Sequence, residues 1–219
     1  MPTAVVLSHD WIAGELGHLE PWLVDSGFSI VRVFREQRSS IPAGDLLIIM
    51  GSPASVVPGF RDADANAEIA AVGAWVAQGR PYLGLCFGAQ VLATALGGSV
   101  RRMPGEFRGY VPVDADTPHA ALGDGRWTVW HNDAITAPPG AELLGSLDHA
   151  DLAFRVGNAW GLQPHIEVTP DTLERMAIAL GATPEQYQPI VGALSDDSAL
   201  NALRARALLD TFLEQTAAT

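Results

Sequence analysis

The chain has 219 residues, of which 48% are hydrophobic and 17% are charged, and this balance is typical of a folded globular protein. A chain of this length buries enough surface to fold as one domain, residues 1–219, without disulfides or metal ions. The net charge of −12 disfavours nucleic acids and anionic membrane surfaces as partners, because like charges repel.

The residue types that the chain lacks exclude further kinds of chemistry. All 13 basic residues are arginine, so there is no lysine for a pyridoxal phosphate Schiff base or a Walker A phosphate loop. Cys86 is the only cysteine, which excludes an intrachain disulfide and a multi-cysteine metal cluster. The N-terminus has no signal-peptide pattern, and no apolar run is long enough to span a membrane. We therefore expect a cytoplasmic protein.

The first half of the chain alternates short apolar runs with amphipathic stretches, which is the pattern of a βαβαβ unit. Turn signals occur at Gly51-Ser52-Pro53, Gly79 and Gly97-Gly98. The pattern predicts a mostly parallel sheet that is covered by helices on both faces. The predicted strands are 4–7, 30–34, 45–50 and 82–85, and the predicted helices are 16–24, 64–78 and 87–96.

The second half has a different pattern. From residue 99 to 163 the apolar runs are short and turn signals are dense, which favours antiparallel or mixed β-structure. Polar helices are predicted at 171–180 and 198–216, and we interpret the proline-containing segment 181–198 as a mobile loop. The predicted fold class is therefore α/β, with an open, mostly parallel sheet flanked by helices and a mixed or antiparallel β extension.

Cys86 lies in the segment Gly84-Leu85-Cys86-Phe87-Gly88, where a predicted strand meets a predicted helix. This G-x-C-x-G pattern is that of a nucleophile elbow, which needs small residues two positions away on either side. At a helix N-terminus the macrodipole favours the thiolate, and the amide of Phe87 is available to a developing oxyanion. A lone cysteine is more often a buried apolar residue, but the flanking glycines favour the catalytic interpretation.

A candidate base and its orienting group lie in the segment Gln163-Pro164-His165-Ile166-Glu167. His165 and Glu167 are two positions apart, so on a continuing strand they share one face and the carboxylate can hold the imidazole. A His-x-Glu pair alone is weak evidence, since such pairs are common at exposed strand ends. His9-Asp10 and His149 with Asp151 have no evident third ligand, so we expect no metal.

Three segments together resemble the motifs of the class I, or triad-type, glutamine amidotransferases: GSPAS at 51–55, GLCFGAQ at 84–90 and GLQPHIEV at 161–168. The resemblance covers nearly the whole chain and is strongest to stand-alone, GMP-synthetase-like members. It implies their flavodoxin-like fold, no cofactor, and a catalytic triad of Cys86, His165 and Glu167. It also implies oxyanion-hole residues Phe87, Gly51 and Ser52, and substrate-binding residues Gln90, His131, Asn132 and Asp133.

The resemblance implies hydrolysis of the side-chain amide of L-glutamine through a Cys86 thioester, with ammonia supplied to a separate synthetase. A γ-glutamyl hydrolase or peptidase forms the same acyl-enzyme from a γ-glutamyl compound, with water as its only acceptor. A non-catalytic, regulatory amidotransferase-like module is a third alternative, because Pro164 and Ile166 depart from the usual residues beside His165. Ser52 replaces the usual glycine, and we expect a partner to complete this turn and to raise a low basal activity.

Overall fold

The structure is a computed structural model that describes residues 1–12, 15–37, 40–113, 122 and 125–217. Of residue 217 it describes the backbone alone. The strands are β1 (Thr3–Ser8), β2 (Ser29–Phe34), β3 (Leu46–Ile49), β4 (Tyr82–Leu85), β5 (Ser99–Pro112), β6 (Arg126–Thr136), β7 (Glu142–Leu147), β8 (Ala150–Val156) and β9 (Ala159–Leu162). The α-helices are α1 (Leu19–Asp25), α2 (Ala63–Val76), α3 (Phe87–Ala95), α4 (Pro170–Ala179), α5 (Pro184–Asp196) and α6 (Ser198–Ala217). Within these described ranges, no helix is both long enough and apolar enough to cross a membrane.

A seven-stranded sheet of order β2-β1-β3-β4-β9-β8-β7 forms the centre of the fold. The first five strands in this order are parallel, and β8 and β7 continue the sheet in antiparallel fashion. The chain adds β2 on one side of β1 and β3 on the other, so the direction of winding reverses there. Ligands of such sheets bind beyond the carboxyl ends of the strands near the reversal. The predicted βαβαβ order and mostly parallel α/β sheet are confirmed.

Both faces of the parallel strands are buried, because alternate residues belong to different core clusters. Ala4 and Val6 of β1 lie in a cluster with residues of α1 and α6, whereas Val5 and Leu7 lie in a cluster with residues of α2 and α3. Full burial of an aliphatic side chain contributes roughly 1.5–3 kcal/mol to the free energy of unfolding. The parallel strands therefore form a rigid support for the residues that follow their carboxyl ends.

The predicted β extension consists of two parts. β5 and β6 form a separate antiparallel ribbon, whose register is interrupted between Arg102 and Phe107. β7 and β8 form an antiparallel pair that joins the main sheet through β9. Residues 114–121, 123 and 124 of this predicted region lie outside the described residues.

The prediction of a mobile loop at 181–198 is wrong, because most of this segment forms α5. Thr183 and Gln186 form a capping box, and Pro184 occupies the first turn, where its missing amide hydrogen would have no helical partner anyway. The buried residues of α5 recur at helical spacing and join a third cluster with α4: Tyr187, Ile190 and Leu194. Pro184 therefore marks the start of a helix rather than an irregular segment.

Gly84 and Gly88 lie where backbone segments approach too closely for any side chain. A Cβ on Gly88 would be 2.2 Å from the carbonyl oxygen of Ile49, and a Cβ on Gly84 would be 2.5 Å from the carbonyl carbon of Gly88. These contacts let α3 begin directly against the ends of β3 and β4, as the G-x-C-x-G pattern predicts.

We expect Gly88→Ala to lower the free energy of unfolding by about 1–3 kcal/mol or more, because the added methyl group overlaps the backbone of Ile49. Gly192→Ala in α5 is the matched control, since a Cβ there has nothing within 4 Å. That helical substitution should stabilise the protein by about 0.5–1 kcal/mol. Urea unfolding of both variants measures the effects, and equal stability of the two variants would contradict the close packing.

Candidate active site

The predicted catalytic segments meet at the carboxyl edge of the parallel sheet. Gly51 follows β3, Cys86 follows β4 and His165 follows β9. They line one cavity of about 350 Å³. The predicted site residues that line this cavity are Gly51, Ser52, Cys86, Gln90, His131, Asn132, Asp133 and His165.

Cys86 occupies a strained turn between β4 and α3. Its φ of 51° makes it the only non-glycine residue with a positive φ in the part of the chain that the structure describes. Such strain is typical of a nucleophile elbow. The Cys86 amide donates a 2.8 Å hydrogen bond to the carbonyl of Leu162, which ties the elbow to the end of β9. As the N-cap of α3, Cys86 lies at the positive end of the helix dipole.

His165 and Glu167 are in contact: His165 Nδ1 lies 2.8 Å from Glu167 Oε1, and both side chains are buried. The contact does not depend on a continuing strand, because β9 ends at Leu162. The His165 amide instead donates a 2.8 Å hydrogen bond to the carbonyl of Thr128 in β6, forming an isolated bridge. The backbone of this irregular segment therefore directs the two side chains together, without the alternation of a strand.

The electrostatic surroundings of His165 favour its charged form. Burial by itself lowers its pKa, but the negative charges of Glu167 and of the Cys86 thiolate, together with hydrogen bonds to both, raise the pKa well above the usual value of 6.5. An imidazolium beside the sulfur stabilises the thiolate, which is the nucleophilic form of cysteine.

Gln163 lies in the GLQPHIEV segment, but it is a site residue that the sequence analysis does not predict. Its side-chain amide donates to Cys86 Sγ at 3.4 Å, and its own oxygen accepts from Gln90 Nε2 at 3.2 Å. Both glutamine side chains are buried. The carbonyl of Trp130 lies 3.7 Å from the sulfur and can accept a hydrogen bond from the thiol form. Gln90, predicted to bind substrate, thus also orients the amide that contacts the nucleophile. The position of Gln163 two residues before His165 is the signal that could have identified it.

The predicted substrate-binding residues of β6 are placed differently from one another. Asn132 is exposed at the cavity, whereas Asp133 is buried. The Asp133 carboxylate accepts a 2.7 Å hydrogen bond from Ser55 Oγ and forms a 2.7 Å ion pair with Arg102. Asp133 therefore joins the 51–55 loop to the β5–β6 ribbon, and its carboxylate already has partners.

His131 is buried in the same cavity wall. Its Nδ1 lies 2.9 Å from the carbonyl oxygen of Asp133, and its Nε2 has no hydrogen-bond partner among the described residues. Burial lowers its pKa to about 4; the hydrogen bond to the Asp133 carbonyl opposes this shift, while electrostatic interactions with His149 and His165 add to it. The pKa values of the two imidazoles that line the cavity are therefore shifted in opposite directions.

The histidines considered as metal ligands make other contacts. His9 lies between the side chains of Glu36 and Ser52, and His149 stacks on His131 with ring centroids 6.0 Å apart. Within the described residues there is no group of three or more His, Cys, Asp or Glu side chains that could hold a metal ion.

Known proteins resemble the chain in sequence. The family described as Glutamine amidotransferase class-I matches residues 28–181. The GMP synthase (glutamine-hydrolyzing) of Dinoroseobacter shibae is 37% identical over 134 residues, which are 56% of this chain and 24% of that protein. A GMP synthase (glutamine-hydrolyzing) of Thermus thermophilus is 32% identical over 159 residues, 68% of this chain and 29% of that protein. The chain thus spans less than a third of the length of these relatives.

Solved structures resemble the chain in fold. A glutamine amidotransferase from Thermotoga maritima superposes with a TM-score of 0.85 at 22% identity, over 97% of this chain and 98% of that one. A glutamine amidotransferase from Methylobacillus flagellatus superposes with a TM-score of 0.81 at 22% identity, over 98% of this chain and 94% of that one. These likenesses establish the fold, and the family match extends over more than half of the sequence. The chain belongs to the class I glutamine amidotransferase family.

Proposed function

We propose that this chain hydrolyses the side-chain amide of glutamine through a Cys86 thioester and supplies the ammonia to a separate synthetase. The observation that carries the proposal is the strained Cys86 turn, which shares one cavity with the buried His165, whose Nδ1 lies 2.8 Å from Glu167. Family membership supports the substrate, and the names of the GMP synthase relatives describe glutamine hydrolysis.

The first step of the proposed reaction is acylation of the nucleophile. The Cys86 thiolate attacks the side-chain amide carbon of glutamine, and the carbonyl oxygen becomes an oxyanion. The amide of Phe87 is suited to hold this charge, because the first amides of a helix have no intrahelical partner. The amide of Ser52, which lines the same cavity, is the second proposed donor.

Proton transfer completes both halves of the reaction. Protonated His165 gives its proton to the departing nitrogen, so ammonia leaves and the γ-glutamyl thioester remains. Neutral His165 then takes a proton from the attacking water, and glutamate leaves as the thiolate is restored. Glu167 holds Nδ1 and stabilises the imidazolium at each stage.

Two further features of the site favour a thiolate beside a single imidazolium. The Gln163 amide donates to the sulfur and so favours the thiolate. Neutral His131 keeps a second positive charge out of the cavity wall, where it would repel the His165 imidazolium. These two imidazoles therefore contribute a single positive charge beside the thiolate.

Cys86→Ser should abolish ammonia release from free glutamine while leaving the fold intact, because the hydroxyl is a much weaker nucleophile than the thiolate. Ammonia release by the isolated chain is the primary measurement, and intact-mass spectrometry should show one adduct from a diazoketone analogue of glutamine. Labelling that persisted in Cys86→Ala would contradict the assignment of the nucleophile.

The same assay separates the alternatives. Turnover of γ-glutamyl peptides in the absence of glutamine turnover would favour the hydrolase. Inactivity on both, with and without added synthetases, would favour the regulatory module.

His165→Ala should reduce kcat by roughly 10²–10⁴-fold, which is the usual contribution of general acid–base catalysis. Glu167→Gln should have a milder effect, because glutamine can still accept the Nδ1 hydrogen bond although it lacks the charge. Steady-state glutaminase assays compare the two variants. Full kcat in His165→Ala would show that another group serves as the base.

The stability of the protein should depend on pH through His131. Its pKa has the ordinary value of 6.5 in the unfolded chain and falls to about 4 in the folded chain, so between these values the unfolded chain binds more protons at this site. The contribution of His131 to the free energy of unfolding therefore decreases as the pH falls, by up to about 1.4 kcal/mol per pH unit. His131→Asn retains an amide donor for the Asp133 carbonyl but does not titrate.

Urea unfolding of wild type and His131→Asn at several pH values measures this effect. The stability of the variant relative to wild type should improve as the pH is lowered from 6.5 towards 4. Parallel pH profiles for the two proteins would show that titration of His131 does not contribute to the pH dependence of stability.

A further inference from the structure

The turn that carries the Ser52 amide is held by residues that follow β1 and β2. Arg35 and Glu36 lie in a 3-10 turn (Arg35–Gln37) directly after β2, and His9 directly follows β1. Each of the three contacts the Gly51–Ser52 segment directly or through a neighbour.

Arg35 fixes the main chain of this segment. Its Nη1 donates to the carbonyl of Gly51 at 3.3 Å, and its Nη2 donates to the carbonyl of Met50 at 3.2 Å. Glu68 of α2 accepts two hydrogen bonds from the same guanidinium, at 2.7 and 3.1 Å. Only 11% of the Arg35 side chain and 12% of the Glu68 side chain are exposed. A bidentate pair with so little exposure holds the guanidinium, and thus both carbonyls, in one geometry.

The direction of the Gly51 carbonyl determines the direction of the Ser52 amide, because the two belong to one peptide unit. There are no cis peptides among the described residues, and in a trans peptide the C=O and N–H groups point in opposite directions. With its carbonyl on Arg35, this peptide turns its N–H away from the guanidinium. The peptide lies against the reacting groups, since a Cβ on Gly51 would be 3.1 Å from His165 Cε1 and 3.7 Å from Cys86 Cβ.

Arg35 also contacts the residue that carries the other proposed oxyanion donor. Its guanidinium carbon lies 5.2 Å from the centroid of the Phe87 ring, within cation–π range. The Phe87 ring is buried beneath it. One buried cation thus touches both segments whose amides would face the oxyanion.

The side chain of Ser52 is held separately. Ser52 Oγ accepts a 3.1 Å hydrogen bond from the Ala54 amide and forms a 2.9 Å hydrogen bond with His9 Nε2. His9 Nδ1 lies 2.5 Å from Glu36 Oε1. Partial burial raises the pKa of Glu36, but hydrogen bonds from His9 and from main-chain amides outweigh it and lower the pKa to about 2. The ionised carboxylate accepts a hydrogen bond from His9 Nδ1 and so orients the ring towards the serine hydroxyl.

We propose that Arg35 and the Glu36–His9–Ser52 chain are positioning residues, which hold the oxyanion amides in place before the substrate arrives. The proposal rests on the proposed function in one respect: Cys86 must attack a carbonyl group, whichever compound carries it. It gives the serine at position 52 a task, because a glycine there would offer no side chain to His9.

The test compares two reactions of the same sulfur. Acylation by p-nitrophenyl acetate begins with attack of the thiolate on the ester carbonyl, forms an oxyanion and expels p-nitrophenolate. Alkylation by iodoacetamide displaces iodide from a saturated carbon and forms no oxyanion. The ratio of the two rates therefore reports oxyanion stabilisation separately from the reactivity of the thiolate. The absence of lysine from the chain keeps other acylation low, and Cys86→Ala measures what remains.

We expect Arg35→Ala, His9→Ala and Ser52→Ala each to lower this ratio by about tenfold or more, approaching the roughly 10²–10³-fold loss of a deleted oxyanion donor. Because His9 acts through Ser52, the double variant His9→Ala/Ser52→Ala should lower the ratio no further than either of its single variants. With glutamine, kcat should fall while KM changes little. Arg206→Ala is the matched control: it removes a guanidinium whose partners are Asp25 and Asp210, away from the residues that line the cavity, and should leave the ratio unchanged.

An unchanged ratio in folded Arg35→Ala and His9→Ala would overturn the proposal, and so would an equal loss of both rates, which would indicate damage to the nucleophile. If Arg35→Ala does not fold, His9→Ala and Ser52→Ala decide the outcome. A lowered ratio in a protein that does not hydrolyse glutamine would uphold the positioning role and contradict the proposed substrate. Glutamine hydrolysis by wild type, together with an unchanged ratio in the variants, would uphold the proposed substrate and contradict the positioning role.

Discussion

Close packing between the end of β3 and the start of α3 determines where the reactive sulfur can lie. The α-carbon of Gly88 approaches the Ile49 carbonyl so closely that a side chain is excluded, and the helix therefore begins directly at the sheet edge. The connection from β4 must turn within a single residue, which gives Cys86 its positive φ. Because β4 lies between β3 and β9, the same edge presents Gly51 on one side of Cys86 and His165 on the other. Backbone packing, more than any side-chain contact, brings the site together.

The charges around this edge are arranged in partly or fully buried pairs. His165 with Glu167 and Arg35 with Glu68 are both removed from water, and Asp133 is buried against Arg102. Buried ion pairs are weak sources of stability, because desolvation offsets much of their attraction. Their value here is geometric: each carries hydrogen bonds that admit one orientation of a loop or ring. The pairs lie where small displacements would separate the nucleophile from its proton donor.

Local patterns in the sequence are enough to predict the sheet and the Cys86 turn, whereas the pairing of His165 with Glu167 follows from the family resemblance. Each depends on residues close together along the chain, such as the glycines flanking Cys86. The failures have a different origin. In place of the continuing strand considered for His165 and Glu167, the structure has a bridge from His165 to Thr128 in β6, a contact that spacing cannot show. Arg35 is 16 residues from Gly51, and Gln163 is 77 residues from Cys86, so their contacts exist only in the folded chain. The capping box of the helix at 184–196 is a local signal for that helix, but its prolines are equally typical of loops.

The anchoring of the Gly51-Ser52-Pro53 turn bears on how a synthetase could act on this protein. A donor that is fixed before the reaction needs no reorganisation as the oxyanion forms, which is the source of its catalytic effect. The serine that replaces glycine in this turn led to the expectation that a partner completes it. In the structure, Arg35 and His9 already hold its carbonyl and its hydroxyl from within the chain. If the turn is held in this way, as proposed above, it needs no binding energy from a partner to become ordered. On the same proposal, a synthetase that activates this chain would act on another wall of the cavity, such as the end of α4 or the interrupted part of β5.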